Sequence, residues 1–178
     1  MRVCIRPLGI VDASILDFLQ ASLAKVFGEC EVLLPGKIPQ EAYNPIRNQY
    51  NSTAILENLE AKKGCQILLG VVEEDIYAGN LNFVFGEAEL GGSRAIISLA
   101  RLRPSVYGMK NGDLLKLRAL KEAMHEVGHV LGLTHCPNPN CVMFFSNSIL
   151  DTDAKDWKYC DACRKKLLER GIKVRLDE

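Results

Sequence analysis

The chain lacks a net charge, a long apolar run, internal repeats and low-complexity segments. Its 22 basic residues balance 22 acidic ones, which argues against nucleic acid or an anionic membrane as a partner. No apolar stretch approaches the roughly 20 residues that span a bilayer. The N-terminus is interrupted by Arg6, Pro7 and Asp12 and is therefore a poor signal peptide. We expect a cytoplasmic, monomeric protein with a single catalytic domain over residues 1–178 and neither a nucleic-acid nor a membrane partner.

Histidine is scarce as well: the chain has three, in one stretch with the spacing H-E-x-x-H-x-x-G-x-x-H. His125 and His129 are one helical turn apart, so both imidazoles can bind one metal ion. Gly132 lets the chain leave the helix sharply, which brings His135 back as a third ligand. H-E-x-x-H alone also occurs by chance on amphipathic helices, but chance does not supply the downstream glycine and histidine. Three histidines with an open fourth position are typical of catalytic zinc.

Glu126 follows the first histidine and therefore lies beside the metal without binding it. Zinc lowers the pKa of a bound water towards about 7. A neighbouring carboxylate can accept the proton of that water and pass it to a leaving amine. We predict a zinc-dependent metallopeptidase in which this water is the nucleophile and Glu126 is the general base and acid. The alternative is a zinc-stabilised protein that binds peptides or a partner with little turnover, although binding alone does not require Glu126.

The seven cysteines divide into two groups. Four form closely spaced pairs in the pattern C-x4-C-x18-C-x2-C: Cys136, Cys141, Cys160 and Cys163. Such pairs typically bind a structural, tetrahedral zinc ion, and the alternatives are unrelated buried cysteines or two disulfides. The other three are scattered among apolar residues: Cys4, Cys30 and Cys65. A reducing compartment fits these cysteines better than a disulfide framework. We therefore expect two zinc ions per chain, one catalytic and one structural.

Apolar residues upstream of the motif follow alternately the period of a strand and that of a helix. Strands are predicted at residues 2–8, 31–34, 65–72, 81–85 and 95–99. Helices are predicted at residues 12–27, capped by Asp12, and at 52–63, with a loop over 37–50. This order indicates an α/β (α+β) fold in which a twisted, mixed, five-stranded sheet packs with helices above the active-site helix.

A long helix carries the histidine motif and is predicted to be capped by Asp113. Its predicted core stripe comprises Leu117, Leu120, Met124, Val127 and Leu131. A shorter part follows, with the cysteine pairs and a last helix near residues 159–170. We interpret Glu122, one turn before His125, as an exposed carboxylate rather than a group that supports a metal ligand.

The stretch H-E-x-G-H-x-x-G-x-x-H-C, followed by C-x-M and C-x2-C, resembles the archaemetzincin (archaelysin) family of metzincins. Residues 145–148, and Asp153 with Lys155, also look like that family's pattern. The resemblance implies a metzincin-like fold: an upper part over 1–131 with the active-site helix, and a lower, zinc-stapled part over 132–178. The catalytic cleft would lie between the two parts.

The resemblance also implies roles for residues that are otherwise ordinary core positions. Met143 looks like the methionine of a Met-turn, a hydrophobic floor beneath the three imidazoles. The edge of the sheet beside the cleft is implied to comprise Phe83, Val84, Phe85 and Gly86, where a peptide substrate could pair as an added strand. Some metzincins have an extra tyrosine ligand two residues after the Met, and Phe145 at that position cannot bind a metal. Endopeptidase and aminopeptidase action both remain open.

Overall fold

A computed structural model describes residues 1–177. The strands, in chain order, are β1 (Arg2–Leu8), β2 (Glu29–Val32), β3 (Tyr43–Asn44), β4 (Gln49–Asn51), β5 (Ile67–Val72), β6 (Ile76–Tyr77), β7 (Gly86–Ala88) and β8 (Arg94–Ser98). The α-helices are α1 (Ala13–Phe27), α2 (Ser52–Asn58), α3 (Gly112–Val130), α4 (Ile149–Ala154) and α5 (Asp161–Glu169). Two 3₁₀ turns lie at Gln40–Ala42 and Pro104–Tyr107.

Five strands form the main sheet, in the order β2-β1-β5-β8-β7. β5 lies at its centre, parallel to β1 and β8, and all of its residues are buried. This explains the nearly continuous apolar sequence of β5, because both faces of the sheet are covered there. β7 runs antiparallel to β8 and forms one edge of the sheet. The prediction of an α/β fold with a mixed, five-stranded sheet is confirmed, and a second, small sheet has the order β3-β4-β6.

The strand predicted at residues 81–85 is wrong. Of the four residues assigned to the sheet edge, only Gly86 belongs to β7, whereas Phe83, Val84 and Phe85 precede it. The Val84 N–H donates to a carbonyl of β6, while the Phe85 carbonyl accepts from the N–H of the last residue of β8. The chain therefore crosses from the small sheet to the main one. Its apolar alternation reflects the two phenylalanine rings, which meet edge to face at a centroid distance of 5.1 Å.

Other elements differ from prediction mainly at their ends. α1 begins after Asp12, whose carboxylate accepts from the Ser14 N–H, as expected. α2 ends at Asn58, five residues early, because residues 60–64 are exposed and have nothing to pack against. The predicted loop over 37–50 contains the short strands β3 and β4, and β2 lies two residues upstream of its predicted position.

The helix α3 is more deeply buried than its apolar stripe suggests. Asn111, not Asp113, caps it by accepting a hydrogen bond from the Leu114 N–H at 3.3 Å. Leu117 was expected in the core but is 36% exposed. Every side chain from 118 to 128 is buried, polar ones included. The helix packs against the sheet on one side and against the C-terminal segment on the other, so two faces are covered rather than one stripe.

The hydrophobic core consists of two clusters on opposite faces of the main sheet. The larger cluster joins one face to α1 and α3 and continues beyond α3 to Val142, Met143 and Leu167. The smaller cluster lies between the other face and α2. Within residues 1–177, no helix is long and apolar enough to cross a membrane.

Cys4 in β1 and Cys65 just before β5 form a disulfide, with their Cα atoms 5.8 Å apart. This corrects the expectation that these cysteines are unpaired, while Cys30 is free. The two partners are 61 positions apart in sequence. β1 and β5 are neighbours in the sheet, with Cys4 opposite Leu68, and this pairing of strands is not visible in the local sequence around either cysteine.

Candidate active site

The C-terminal half of α3 and the turn after it bring the three histidines together. Their ring nitrogens include a set that lies within 4.8 Å of one another. Gly132 has a φ of 98°, and its N–H donates to the His129 carbonyl, so the chain turns directly after the helix. This turn places the His135 ring 5.4 Å from the ring of His125 and 4.9 Å from that of His129. The predicted histidine ligands are therefore clustered.

Backbone carbonyls fix the orientation of the two helical imidazoles. The Nδ1 atoms of His125 and His129 donate to the carbonyls of Val142 and Leu133, both at 2.7 Å. Their Nε2 atoms consequently carry lone pairs and face each other at 3.1 Å. Two such lone pairs repel unless a cation lies between them.

The protonation state of these histidines also suits a metal. Burial lowers the pKa of His125 well below its ordinary value, and nearby Lys155 lowers it further. Burial lowers the pKa of His129 and His135 as well. Neutral imidazoles with their second nitrogen bonded to a carbonyl are the usual form of zinc ligands, so this donor set fits a zinc ion.

Met143 packs directly beneath the histidine helix. A Cβ added to Gly128, between the two helical ligands, would lie 2.4 Å from the Met143 Sδ. The Met143 carbonyl accepts from the Cys136 N–H at 3.0 Å, which ties this residue to the segment after His135. This packing agrees with a hydrophobic floor for the site, and the Met-turn role of Met143 stays a prediction.

Glu126 is buried beside the histidines and opposite the edge strand. A Cβ on Gly86 would lie 3.0 Å from a Glu126 carboxylate oxygen. Burial raises the pKa of Glu126 well above its ordinary value, and the carboxyl of Glu122 raises it further. A carboxylate with an elevated pKa is a stronger base than an exposed one, so Glu126 accepts a proton more readily than a surface carboxylate does.

Two cavities meet at Glu126 and His125. A cavity of about 420 Å³ opens on the side of His129 and His135 and runs along β7. A cavity of about 240 Å³ lies on the other side, between residues 81–86 and the segment after Met143. The residues Gly86, His125, Glu126 and Phe145 line both cavities. The histidine cluster therefore lies in the middle of a cleft that continues in two directions.

The four paired cysteines form a second cluster next to the first. Their sulfur atoms all lie within 4.8 Å of one another, and none of the four is in a disulfide. The Cys136–Cys160 and Cys141–Cys163 sulfur separations are both 3.8 Å. A tetrahedral zinc with bonds of about 2.3 Å separates its sulfur ligands by about 3.8 Å. Burial raises the pKa of the Cys141 and Cys163 thiols, and a bound cation offsets this by stabilising thiolates.

Comparison with known proteins identifies the family. A family model described as peptidase family M54 matches residues 10–170. The chain belongs to this family. The archaemetzincin of Methanocaldococcus jannaschii is 61% identical over 175 residues, which cover 98% of this chain and 97% of that protein. The M54 chain is thus a zinc metallopeptidase of the archaemetzincin family, as its motifs predicted.

Solved structures of archaemetzincins have the same fold as this M54 enzyme. The crystal structure of the Archaeoglobus fulgidus archaemetzincin is 46% identical, with a TM-score of 0.85, over 93% of this chain and 99% of that one. The crystal structure of the Methanopyrus kandleri archaemetzincin is 37% identical, with a TM-score of 0.85, over 95% of this chain and 94% of that one. Both likenesses extend over nearly the whole chain, including the residues upstream of the motif.

Glu122 is a site residue of the M54 enzyme that was interpreted incorrectly from the sequence. It is only 3% exposed, lines the smaller cavity, and is not a surface carboxylate. Burial raises its pKa to about 7, and Lys155 partly counteracts this rise. The spacing contained a signal for this position, because Glu122 and Glu126 are four residues apart and therefore share one helix face.

The helix α4, which was not predicted, places Lys155 at the site. Arg118 of α3 is buried and binds both carboxylate oxygens of Asp153, at 2.8 and 2.6 Å. Lys121, also on α3, donates to the Thr152 carbonyl at 3.0 Å. These bonds fix α4 against α3, and Lys155 follows directly at the end of α4. Its position depends on contacts between distant residues, which no local pattern reveals.

Proposed function

We propose that this M54 enzyme cleaves peptide bonds with Glu126 as general base and acid, and that it uses two zinc ions. His125, His129 and His135 would hold the catalytic ion, and the four paired cysteines would hold the structural one. The observation that carries the proposal is the pair of Nε2 atoms that face each other beside a buried glutamate. The three imidazoles and the Glu126 carboxyl lie together in one cleft. Packing of the protein core does not require such a group of polar side chains.

Different residues of the chain have different roles in the proposed hydrolysis. A zinc ion, when bound, supplies Lewis acidity and lowers the pKa of water towards about 7. Glu126 accepts the proton of the attacking water, because its pKa is raised and it adjoins the ligand cluster. The same carboxyl then returns the proton to the leaving amine. The Val142 and Leu133 carbonyls hold the imidazoles in one tautomer throughout.

The edge strand offers a place for the substrate backbone. β7 is paired with β8 on one side, and among residues 1–177 no strand pairs with its other side. A peptide lying along Gly86–Ala88 can form main-chain hydrogen bonds there and pass both cavities. Phe83, Val84 and Phe85, originally assigned to this edge, would instead contact the substrate as a wall of the smaller cavity.

The four cysteines couple the structural site to the catalytic one. Cys136 directly follows His135 and donates its N–H to the Met143 carbonyl. A zinc ion held by Cys136, Cys141, Cys160 and Cys163 would therefore immobilise both the third histidine and the methionine below the site. A cytoplasmic location, a monomeric state and the absence of nucleic-acid and membrane partners stay predictions.

The proposal is tested with Glu126→Ala in the zinc-loaded enzyme. We expect loss of peptide hydrolysis, followed by mass spectrometry of a peptide library, while the zinc content stays near two per chain. Glu169→Ala, at an exposed position on α5, serves as the matched control. Retained hydrolysis in Glu126→Ala would remove Glu126 from the mechanism. Binding of library peptides without any cleavage by the unmodified enzyme would favour the alternative, a peptide-binding protein.

A further inference from the structure

The smaller cavity ends in two buried, oppositely charged groups. Glu122 and Lys155 are 3% and 2% exposed, yet both line the cavity. Residues 81–86 and 145–147, most of them more exposed than these two groups, form most of the rest of its lining. Because His125 and Glu126 also line it, whatever enters the cavity lies next to the reacting bond.

The protein satisfies the hydrogen-bonding capacity of these two groups only in part. Among the ion pairs of residues 1–177, none joins Glu122 to Lys155. Lys155 donates one N–H to the Phe144 carbonyl, at 2.9 Å, and its ammonium group has two further N–H donors. Glu122 lines the cavity without any hydrogen-bond partner among the described residues. A third polar atom on the wall, the Ser146 hydroxyl, is likewise without a partner there. Buried polar groups with unused hydrogen-bonding capacity favour a ligand that completes their hydrogen bonds.

The pair of charges selects the chemistry of that ligand. An acidic side chain would bind Lys155 but be repelled by Glu122, and a basic side chain would do the reverse. A carboxamide carries an acceptor oxygen and two donor hydrogens without a net charge, so it can bind both groups at once. An apolar side chain would leave both of them unpaired.

We propose that this enzyme prefers peptides with a glutamine or asparagine side chain next to the scissile bond, recognised by Glu122 and Lys155. The inference rests on the proposed function, because it concerns the substrate of the same cleft. Both residues act on specificity: they bind the side chain and leave the reacting atoms to Glu126.

The first experiment is carried out at pH 8, above the pKa of about 7 of Glu122, and compares peptides that differ at one residue next to the cleaved bond. Glutamine is set against glutamate, methionine and lysine, which have similar length, and against serine, which has a short hydroxyl. We expect kcat/KM for glutamine to exceed that for methionine and glutamate by about tenfold or more. Equal values for glutamine and methionine overturn the inference, as does a preference for glutamate, lysine or serine.

The second experiment changes the recognising residues. Glu122→Gln is the deciding variant, because it preserves shape and breaks no bond within the described residues. It removes the repulsion of acidic side chains, so we expect the preference for glutamine over glutamate to fall about tenfold or more. Lys155→Met should reduce the preference for glutamine over methionine. Glu169→Gln and Lys165→Met, at exposed positions on α5, are the matched controls. An unchanged ratio in Glu122→Gln would contradict the assignment.

Binding measurements separate the two proposals. Cleavage is measured with the unmodified enzyme, and calorimetric dissociation constants of the same peptides are measured with zinc-loaded Glu126→Ala, which we expect to bind them without cleaving them. Cleavage of all peptides at equal rates, with equal affinities, refutes the specificity and leaves the peptidase function standing. Selective binding of the glutamine peptide without cleavage supports the specificity and refutes the peptidase function. Neither cleavage nor selective binding refutes both.

Discussion

Gly86 on the edge strand and Glu126 on α3 approach each other so closely that no side chain fits between them. A Cβ on Gly86 would lie 2.9 Å from the Glu126 Cγ and 3.0 Å from its carboxylate oxygen. It would also lie 2.6 Å from the Ile96 carbonyl oxygen on the neighbouring strand. The strand that would bind the substrate is therefore in contact with the proposed general base, and a glycine makes that contact possible.

Gly86→Ala is expected to displace the Glu126 carboxylate while leaving the histidine cluster in place. A misplacement of about 1 Å can cost about a hundredfold in rate, so we expect kcat to fall by that order. Zinc content, measured by elemental analysis, should not change. Gly112→Ala at the start of α3 is the control, because a Cβ there meets nothing within 4 Å. Full activity in Gly86→Ala would show that a Cβ at position 86 does not displace the Glu126 carboxylate from its active position.

Gly128→Ala is expected to destabilise the protein by overpacking. The added methyl would lie 2.4 Å from the Met143 Sδ and 3.1 Å from a Tyr159 ring carbon. Tyr159 cannot withdraw easily, because its hydroxyl donates to the Met124 carbonyl at 2.7 Å. We expect a loss of about 1–3 kcal/mol, seen as a lower Tm. Adding Met143→Ala should recover part of it, whereas a strictly additive double variant would contradict direct contact.

Sequence patterns with short spacing predicted most of the candidate site. The period of α3 brings His125 and His129 together, and one glycine turns the chain to His135, so the clustering of the three histidines could be predicted. The bond between Cys4 and Cys65, and the placing of Lys155 in the same cavity as Glu122, depend on how separate elements pack together instead. Such contacts join distant residues, and a single sequence contains no local trace of them. The stretch from Phe83 to Phe85 misled the strand prediction because two rings packed together also produce alternation.

Glu122→Gln should change the pH dependence of stability. Burial raises the pKa of Glu122 to about 7, against an ordinary value of 4.5. Between these values the folded state binds more protons than the unfolded state, so this carboxyl lowers stability as the pH rises. We expect the variant to match the unmodified protein at pH 4 and to exceed it at pH 8 by about 3 kcal/mol at most. If the variant and the unmodified protein differed in stability by the same amount at pH 4 and pH 8, Glu122 would not be the group that makes stability depend on pH.

The disulfide between Cys4 and Cys65 should stabilise the fold without affecting catalysis. It closes a loop of 61 positions, and chain entropy alone assigns such a loop about 4 kcal/mol. We expect Cys4→Ser with Cys65→Ser to lower the Tm while kcat/KM stays the same. Cys30→Ser is the matched control, since Cys30 is free. Thiol titration after denaturation should count two more free cysteines with a reductant than without one, and an equal count would rule out the bond.

Cys160→Ala tests whether the structural site supports the catalytic one. The variant leaves three thiolates, so we expect loss of one zinc per chain and a clear fall in Tm. Because Cys136 adjoins His135, disorder there should also weaken the catalytic zinc, which competition with a graded chelator measures. Glu126→Ala is the informative comparison, since it affects hydrolysis but no metal ligand. Two zinc ions bound with unchanged affinity in Cys160→Ala would mean that Cys160 is not a zinc ligand and would contradict the four-cysteine site. One zinc lost without any change at the histidine site would mean that the two sites are neighbours in sequence but independent in stability.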